Sequence, residues 1–325
     1  KEVIKMDMYQ KRKIRAEKKK EDSPKSFPSV GINWYPGHMA KTMKQIEADL
    51  RIVDIVIELL DARIPIASQN PEIANKIKNT KKLVVLNKAD LADEKANQKW
   101  IAYFEKQGIP AVLVDSNSGK GIDKFIKKIE EIMQEMLEGQ ANKGRVGRKI
   151  RAMILGIPNV GKSSFINRIS KRTTAEVGNK PGITKQKQWI RINEKIELLD
   201  TPGVLWPKFE SEDVALKLAF TGTIKETVLQ RTEVAYQLVK FLLENYQERL
   251  ENRYGLTNEY IEATLDQDQP ENFNIYEIML EIGKKRGCII SGGNIDEEKT
   301  AKIILDEFKN GKFGKVSLEQ PETEK

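Results

Sequence analysis

Residues 156–165 read GIPNVGKSSF, and this stretch decides how the rest of the chain is divided. Gly156, Gly161, Lys162 and Ser163 fill the fixed positions of the G-x-x-x-x-G-K-S phosphate-binding loop. The apolar run IRAMILG at 150–156 reads as a strand leading into it, and a helix pattern follows. Glycines let backbone N–H groups close around a β-phosphate, and the helix N-terminus adds its positive dipole. In this reading Pro158, Asn159, Val160, Gly161, Lys162, Ser163 and Ser164 form the phosphate cradle. Lys162 reaches the β- and γ-phosphates, and the Ser163 hydroxyl ligates magnesium. An ordinary glycine turn would leave the match at every fixed position unexplained.

Four further loops acquire meaning beside this one. Asp200-Thr201-Pro202-Gly203 follows the apolar stretch KIELLD at 195–200. Alone it would pass as a turn; paired with a phosphate loop, it reads as the acidic partner. Asp200 would hold magnesium through water, and the Gly203 amide would sense the γ-phosphate. Between the two lies Gly182-Ile183-Thr184, whose threonine hydroxyl can complete the magnesium shell when γ-phosphate is present. Asn87-Lys88-Ala89-Asp90 closes another apolar strand. The Asp90 carboxylate can accept from both guanine N1–H and the exocyclic amine, which adenine cannot reproduce. Asn87 would bond the other edge of the base and tie down the phosphate loop, while the Lys88 stem stacks on the ring. Ser116, in DSNSGKG at 115–121, is placed to offer a backbone amide to guanine O6. Together these loops select GTP, with GDP as product.

The guanine-reading loop precedes the phosphate loop along the chain, the reverse of the usual order. Each loop follows a strand, so all of them would meet at one edge of one sheet whatever their order. Circular permutation is tolerated where old termini lie close together at the surface. A Gly/Lys/Arg linker at 139–149 would join the old ends. Strands are expected at 54–62, 82–88, 111–116, 150–156, 189–193 and 195–200, the last two as a hairpin. Helices are expected at 39–50, 70–78, 93–107 and 121–137. Alternating strands and helices build a mostly parallel sheet covered on both faces. After about residue 207 the strand signal stops and helical patterns take over, as at 233–250 and 296–310.

The 325 residues carry 56 Lys+Arg against 48 Asp+Glu, a net charge of +8. The first 30 hold 10 basic and 5 acidic side chains, and this imbalance supplies most of the excess. Further basic clusters stand at 143–151, 168–174 and 283–287, whereas 210–281 is acidic. Local density of Lys and Arg is what a polyanion responds to, so one basic face is expected. No apolar run approaches the roughly 18–20 residues that span a bilayer. One cysteine, Cys288, excludes an intrachain disulfide and reads as a buried structural thiol in a reducing, cytoplasmic setting.

The motifs Trp34-Tyr35-Pro36-Gly37-His38-Met39-Ala40-Lys41, PGIT at 181–184, DTPGVLWPKFE at 200–210 and KRGCIISGG at 285–293 add a family likeness. The sequence resembles the circularly permuted GTPases of the bacterial ribosome biogenesis GTPase A family over about 31–318. The resemblance implies an α/β fold: a circularly permuted P-loop GTPase domain over 31–222, then a smaller all-α domain over 223–325 that contacts rRNA. Residues 1–30 are expected to be a flexible basic extension, which departs from the family pattern. It further implies a GTP hydrolase, slow on its own and stimulated by the ribosomal particle, that matures large-subunit precursors. Expected partners are rRNA and ribosomal proteins, with a monomeric protein and no stable membrane association. Catalysis would rest on His38, Lys162, Thr184 and Gly203, because Val204 stands where Ras-like switches carry a water-orienting glutamine. His38 is the single histidine of the chain. In similar GTPases an asparagine at the position of Asn159 helps hold potassium; a turn hydrogen bond is an equal alternative. A switch acting through a protein or membrane partner, and an RNA-binding module with incidental hydrolysis, are the rival readings.

Overall fold

In the computed structural model, three apolar runs of the first half form β1 (Ile55–Asp61), β2 (Lys81–Asn87) and β3 (Ala111–Leu113). Described are residues 37–78, 80–144, 147–177, 189–206, 209–224, 230–264 and 274–321, without the side chains of 37–40 and 172–177. The 1–30 extension, the Trp34-Tyr35-Pro36 stretch and Thr184 lie outside the described residues.

Helix α1 (Gly37–Leu50) precedes β1, and α2 (Pro71–Lys76) and α3 (Glu94–Lys106) run between the strands. Then come α4 (Ile122–Asn142), β4 (Ile150–Leu155), α5 (Lys162–Val177), β5 (Trp189–Arg191) and β6 (Ile196–Leu199). The sheet order is β3-β2-β1-β4-β6-β5, parallel except for the antiparallel β5–β6 hairpin. The two halves of the chain join where β1 pairs with β4, Ile55 opposite Ala152 through Glu58 opposite Leu155. A permuted chain therefore completes one continuous sheet. β1 is buried at all seven positions, as a central parallel strand covered on both faces should be.

Several boundaries differ from the expected ones, such as β3 ending at Leu113 and β5 at Arg191, and two of them concern the linker and His38. Helix α4 continues to Asn142 and takes the first residues of the expected linker. Gly139 costs the helix only about 1 kcal/mol relative to alanine, and the chain leaves helical geometry near Gly144, φ +73°. The α1 helix opens at Gly37, so the His38 backbone belongs to its first turn and not to a preceding loop.

Beyond β6 the chain is helical: α6 (Glu212–Phe220), α7 (Arg231–Tyr254), α8 (Asn258–Glu262), α9 (Ile275–Lys285) and α10 (Glu297–Lys309). One apolar core runs from the sheet through Leu218, Leu238, Ile278 and Ile304, and Cys288 is fully buried in this region. A smaller core of Leu60, Val84, Leu86, Trp100 and Phe104 lies under α3 on the opposite face.

After α10 the chain returns to the sheet. Val316 N donates to Leu91 O and Leu318 N to Arg63 O, each at 2.9 Å. The Glu319 carboxylate accepts from Ile66 N at 2.7 Å and Ala67 N at 3.1 Å. Several charges from the expected basic clusters are spent on internal contacts. Arg148 pairs with Asp54, Lys149 with Glu197 and Arg286 with Glu307, while Arg151 stacks over Trp189.

Candidate functional site

The C-terminal ends of the parallel strands point one way, and the loops that follow β2, β3, β4 and β6 gather at that edge, where open α/β sheets place ligands. They surround a cavity of about 680 Å³, within the usual range for small-molecule sites. Asn87, Lys88, Asp90 and Ser116 line one end. The other end is formed by Pro158, Asn159, Gly161, Lys162, Ser163 and Ser164, with Gly203 against them. Val160 is buried behind the loop.

Asn87 ties three loops together. Its side-chain amide donates to Val160 O at 2.9 Å, and its carbonyl accepts from Ser116 Oγ at 2.6 Å and Ser116 N at 3.3 Å. Gly161 has φ +97°, and a Cβ there would stand 2.3 Å from Asn87 Nδ2. Glycine is needed here twice over, for conformation and for close approach.

Lys88 stands at φ +57°, and its ammonium meets two partners. It donates to Asn159 O at 2.7 Å and pairs with Asp61 Oδ2 at 3.0 Å. Asp61 is buried, and burial alone would raise its pKa. The Arg63 and Lys88 charges outweigh that and hold the carboxyl well below the usual carboxylate range. Arg63 grips Asp61 with both ends of its guanidinium, Nε to Oδ1 at 3.0 Å and Nη2 to Oδ2 at 2.9 Å, and lies over the Phe308 ring. Burial, and then the neighbouring Asp115 charge, raise the pKa of Asp90. Asp115 is itself held in a turn, accepting from Asn117 N at 2.8 Å.

At the other end the Lys162 ammonium donates to the Thr201 carbonyl. Burial lowers the Lys162 pKa to about 8, with the Asp200 charge opposing the shift. Asp200 shifts upward through burial, against the pull of Lys162. Gly203 packs on the phosphate loop so closely that a Cβ would stand 3.0 Å from Pro158 N. Val204 is buried, and its carbonyl accepts from Asn70 Nδ2 at 3.0 Å. The same Asn70 caps α2 through its side-chain oxygen. The Asn159 amide donates to Gly222 O at 2.7 Å, a contact between segments far apart in the chain.

A relative named ribosome biogenesis GTPase A, from Bacillus pumilus, is 45% identical over 292 residues, covering 90% of this chain and 99% of its own length. The chain belongs to the ribosome biogenesis GTPase A family. A Thermotoga maritima relative of the same name is 31% identical over 291 residues, 90% of this chain and 95% of its own. The family model for 50S ribosome-binding GTPases matches residues 151–275, and that for RsgA GTPases matches 72–210. Among solved structures, GNP-bound YlqF from T. maritima superposes with a TM-score of 0.58 at 28% identity, covering 87% of this chain and 99% of that one. The GDP-bound form gives 0.60 over 86% and 100%.

For this member of the ribosome biogenesis GTPase A family, sequence patterns miss Asp61, Arg63, Asn70 and Asp115. An aspartate closing an apolar strand in LLDAR was the available signal for the first two. Lys309 and Asn310 also line the cavity, and no local pattern announces them. Among the described residues no helix is long and apolar enough to cross a membrane.

Proposed function

We propose that the chain is a GTP-hydrolysing assembly factor that binds large ribosomal subunit precursors, promotes a late maturation step and leaves after hydrolysis. The observation that carries this is the meeting of guanine-selecting Asp90 and phosphate-gripping Lys162 in one cavity, in a family whose members carry ribosome biogenesis in their names. The matching model is described as a 50S ribosome-binding GTPase, which favours the large subunit. Residues 223–325 would form the rRNA-contacting part, joined to the nucleotide site through the second switch.

Within the site, Asp90 reads the base and Lys88 covers its ring, while Lys162 and the amides of 158–164 hold the phosphates. The Ser163 hydroxyl and the Asp200 carboxylate are hard oxygen donors that suit magnesium, together with phosphate oxygens and water. They would hold the ion, with Thr184 joining the shell, and bound magnesium would neutralise phosphate charge. Asn159 could add an oxygen for potassium, since its contact to Gly222 uses only the amide nitrogen. Gly203 would sense the γ-phosphate. Val204 is buried and has no polar side chain to orient water. Slow intrinsic turnover follows, with His38 as the group that acts when the ribosomal particle positions it.

Co-sedimentation of the full chain with large-subunit precursors tests the proposal, using GDP or a non-hydrolysable GTP analogue across a salt series. Docking should require the GTP-like state and weaken steeply with salt, as counterion release demands. His38→Ala should keep GTP affinity and lose most particle-stimulated hydrolysis, by about 10²–10⁴-fold if the histidine transfers a proton. Docking that ignores both nucleotide and salt would favour a protein partner.

A further inference from the structure

The turn that ends α10 enters the cavity from a part of the chain without a nucleotide motif. Lys309 closes the helix and Asn310 follows it, and both line the site. The lysine stem is placed by Gly222, φ +75°, where a Cβ would stand 3.1 Å from Lys309 Cδ and 3.2 Å from Cε. The Gly222 carbonyl accepts from Asn159 Nδ2 at 2.7 Å, so Lys309 arrives beside the phosphate loop. On the other flank Gly311, φ +69°, packs on Leu91, and a Cβ there would stand 2.5 Å from Leu91 Cδ2. Val316 N then donates to Leu91 O at 2.9 Å. The turn is thus fixed against the phosphate loop on one side and the guanine loop on the other.

We propose that Lys309 is a nucleotide-binding residue supplied by the helical region, its ammonium pairing with a phosphate oxygen of the bound nucleotide beside Asn159. The inference rests on the guanine-nucleotide reading of the same cavity and adds to it a cation that no loop motif provides. Three lysines line the cavity, and each also has contacts within the protein. Lys162 belongs to the phosphate loop itself. Lys88 is anchored to the buried Asp61 at 3.0 Å, so its charge is already matched. Lys309 stands 3.7 Å from Asp306 on its own helix, and burial lowers its pKa. A bound phosphate would offer this ammonium a charge-assisted bond in addition to its contact with Asp306. Nucleotide would then bridge α10 and the phosphate loop directly, with Gly222 at the junction between them.

The test compares Lys309→Met, which keeps a stem to pack on Gly222, with Lys309→Arg and the unaltered full chain. GDP and guanosine affinities are measured by calorimetry and ligand-observed NMR at two salt concentrations, with thermal melts of each variant. Lys309→Met should weaken GDP by about 5- to 30-fold, as loss of one partly exposed charge-assisted bond implies. It should also flatten the salt dependence and leave guanosine binding and the melting temperature unchanged; Lys309→Arg should recover most of the affinity. Wild-type GDP affinity and salt slope in Lys309→Met would overturn the proposal. So would an equal loss for GDP and guanosine, because the lysine would then only hold the turn. Failure of the unaltered chain to bind GDP would instead remove the guanine-nucleotide reading beneath it.

Discussion

At the end of the cavity proposed to take the nucleoside, Asn87 is buried, as are Asp61 and Arg63, which anchor the neighbouring Lys88, and their polar atoms bond to other fixed parts of the protein. At the phosphate end Lys162 is half-buried, Ser163 is exposed, and Lys162 rests on the Thr201 carbonyl. The first end is a scaffold built before any ligand arrives. The second holds groups whose contacts a phosphate can replace. A nucleotide switch needs this division, because the base must be recognised by a rigid surface while the γ-phosphate must change what it touches.

The contrast can be broken most directly at Arg63. Removing one partner of a buried ion pair typically costs about 3–5 kcal/mol, and Arg63→Ala would leave Asp61 with Lys88 as its remaining cation. The expected result is a stability loss near the lower end of that range, read from the urea midpoint, with weakened nucleotide binding as a consequence. A variant as stable as the parent would show that the nucleoside end is not braced by this pair.

Lys162→Ala should behave in the opposite way. Burial already disfavours its charge, so stability should change by no more than about 0.5 kcal/mol. Nucleotide affinity should fall by about 2–4 kcal/mol through loss of charge-assisted phosphate bonds, and hydrolysis should vanish. Calorimetry and a phosphate-release assay measure both. Unfolding comparable to that of Arg63→Ala would abolish the distinction between the two ends.

Asp90→Asn sharpens the nucleoside side at smaller cost. A pure acceptor becomes a mixed donor and acceptor, and GTP binding should weaken by roughly 1–3 kcal/mol. The fold should stay intact, because Asp90 stands at the rim and not in the core. Unchanged GTP affinity would remove the guanine-reading role.

The smallest effect is a pH dependence. In the free protein Lys162 titrates near pH 8, and bound phosphates would raise that value. Below pH 8 the lysine is already charged and affinity should be flat. As pH rises through 8, binding must take up a proton, and affinity should fall by up to about ten-fold per pH unit until the bound-state value is reached. Lys162→Ala should lose this slope; a slope that survives would belong to another group.

Each chemical loop was legible in the sequence because its signal is short and continuous: an apolar strand, then a few residues whose types the ligand dictates. NKAD after β2, GIPNVGKS after β4 and DTPG after β6 are of this kind, and so is the parallel sheet that gathers them. The permuted order could be read past, since a site depends on which strand ends meet and not on the order in which the chain reaches them. Only the tertiary structure decided what holds those loops in place. Arg63 meets Phe308, Asn159 meets Gly222, Asn70 meets Val204, and Lys309 joins a cavity whose motifs end a hundred residues earlier. None of these pairs has a local pattern, because each depends on packing between segments far apart in the chain. Such contacts arise from the shape of the folded core, and a linear pattern of residues does not carry that shape.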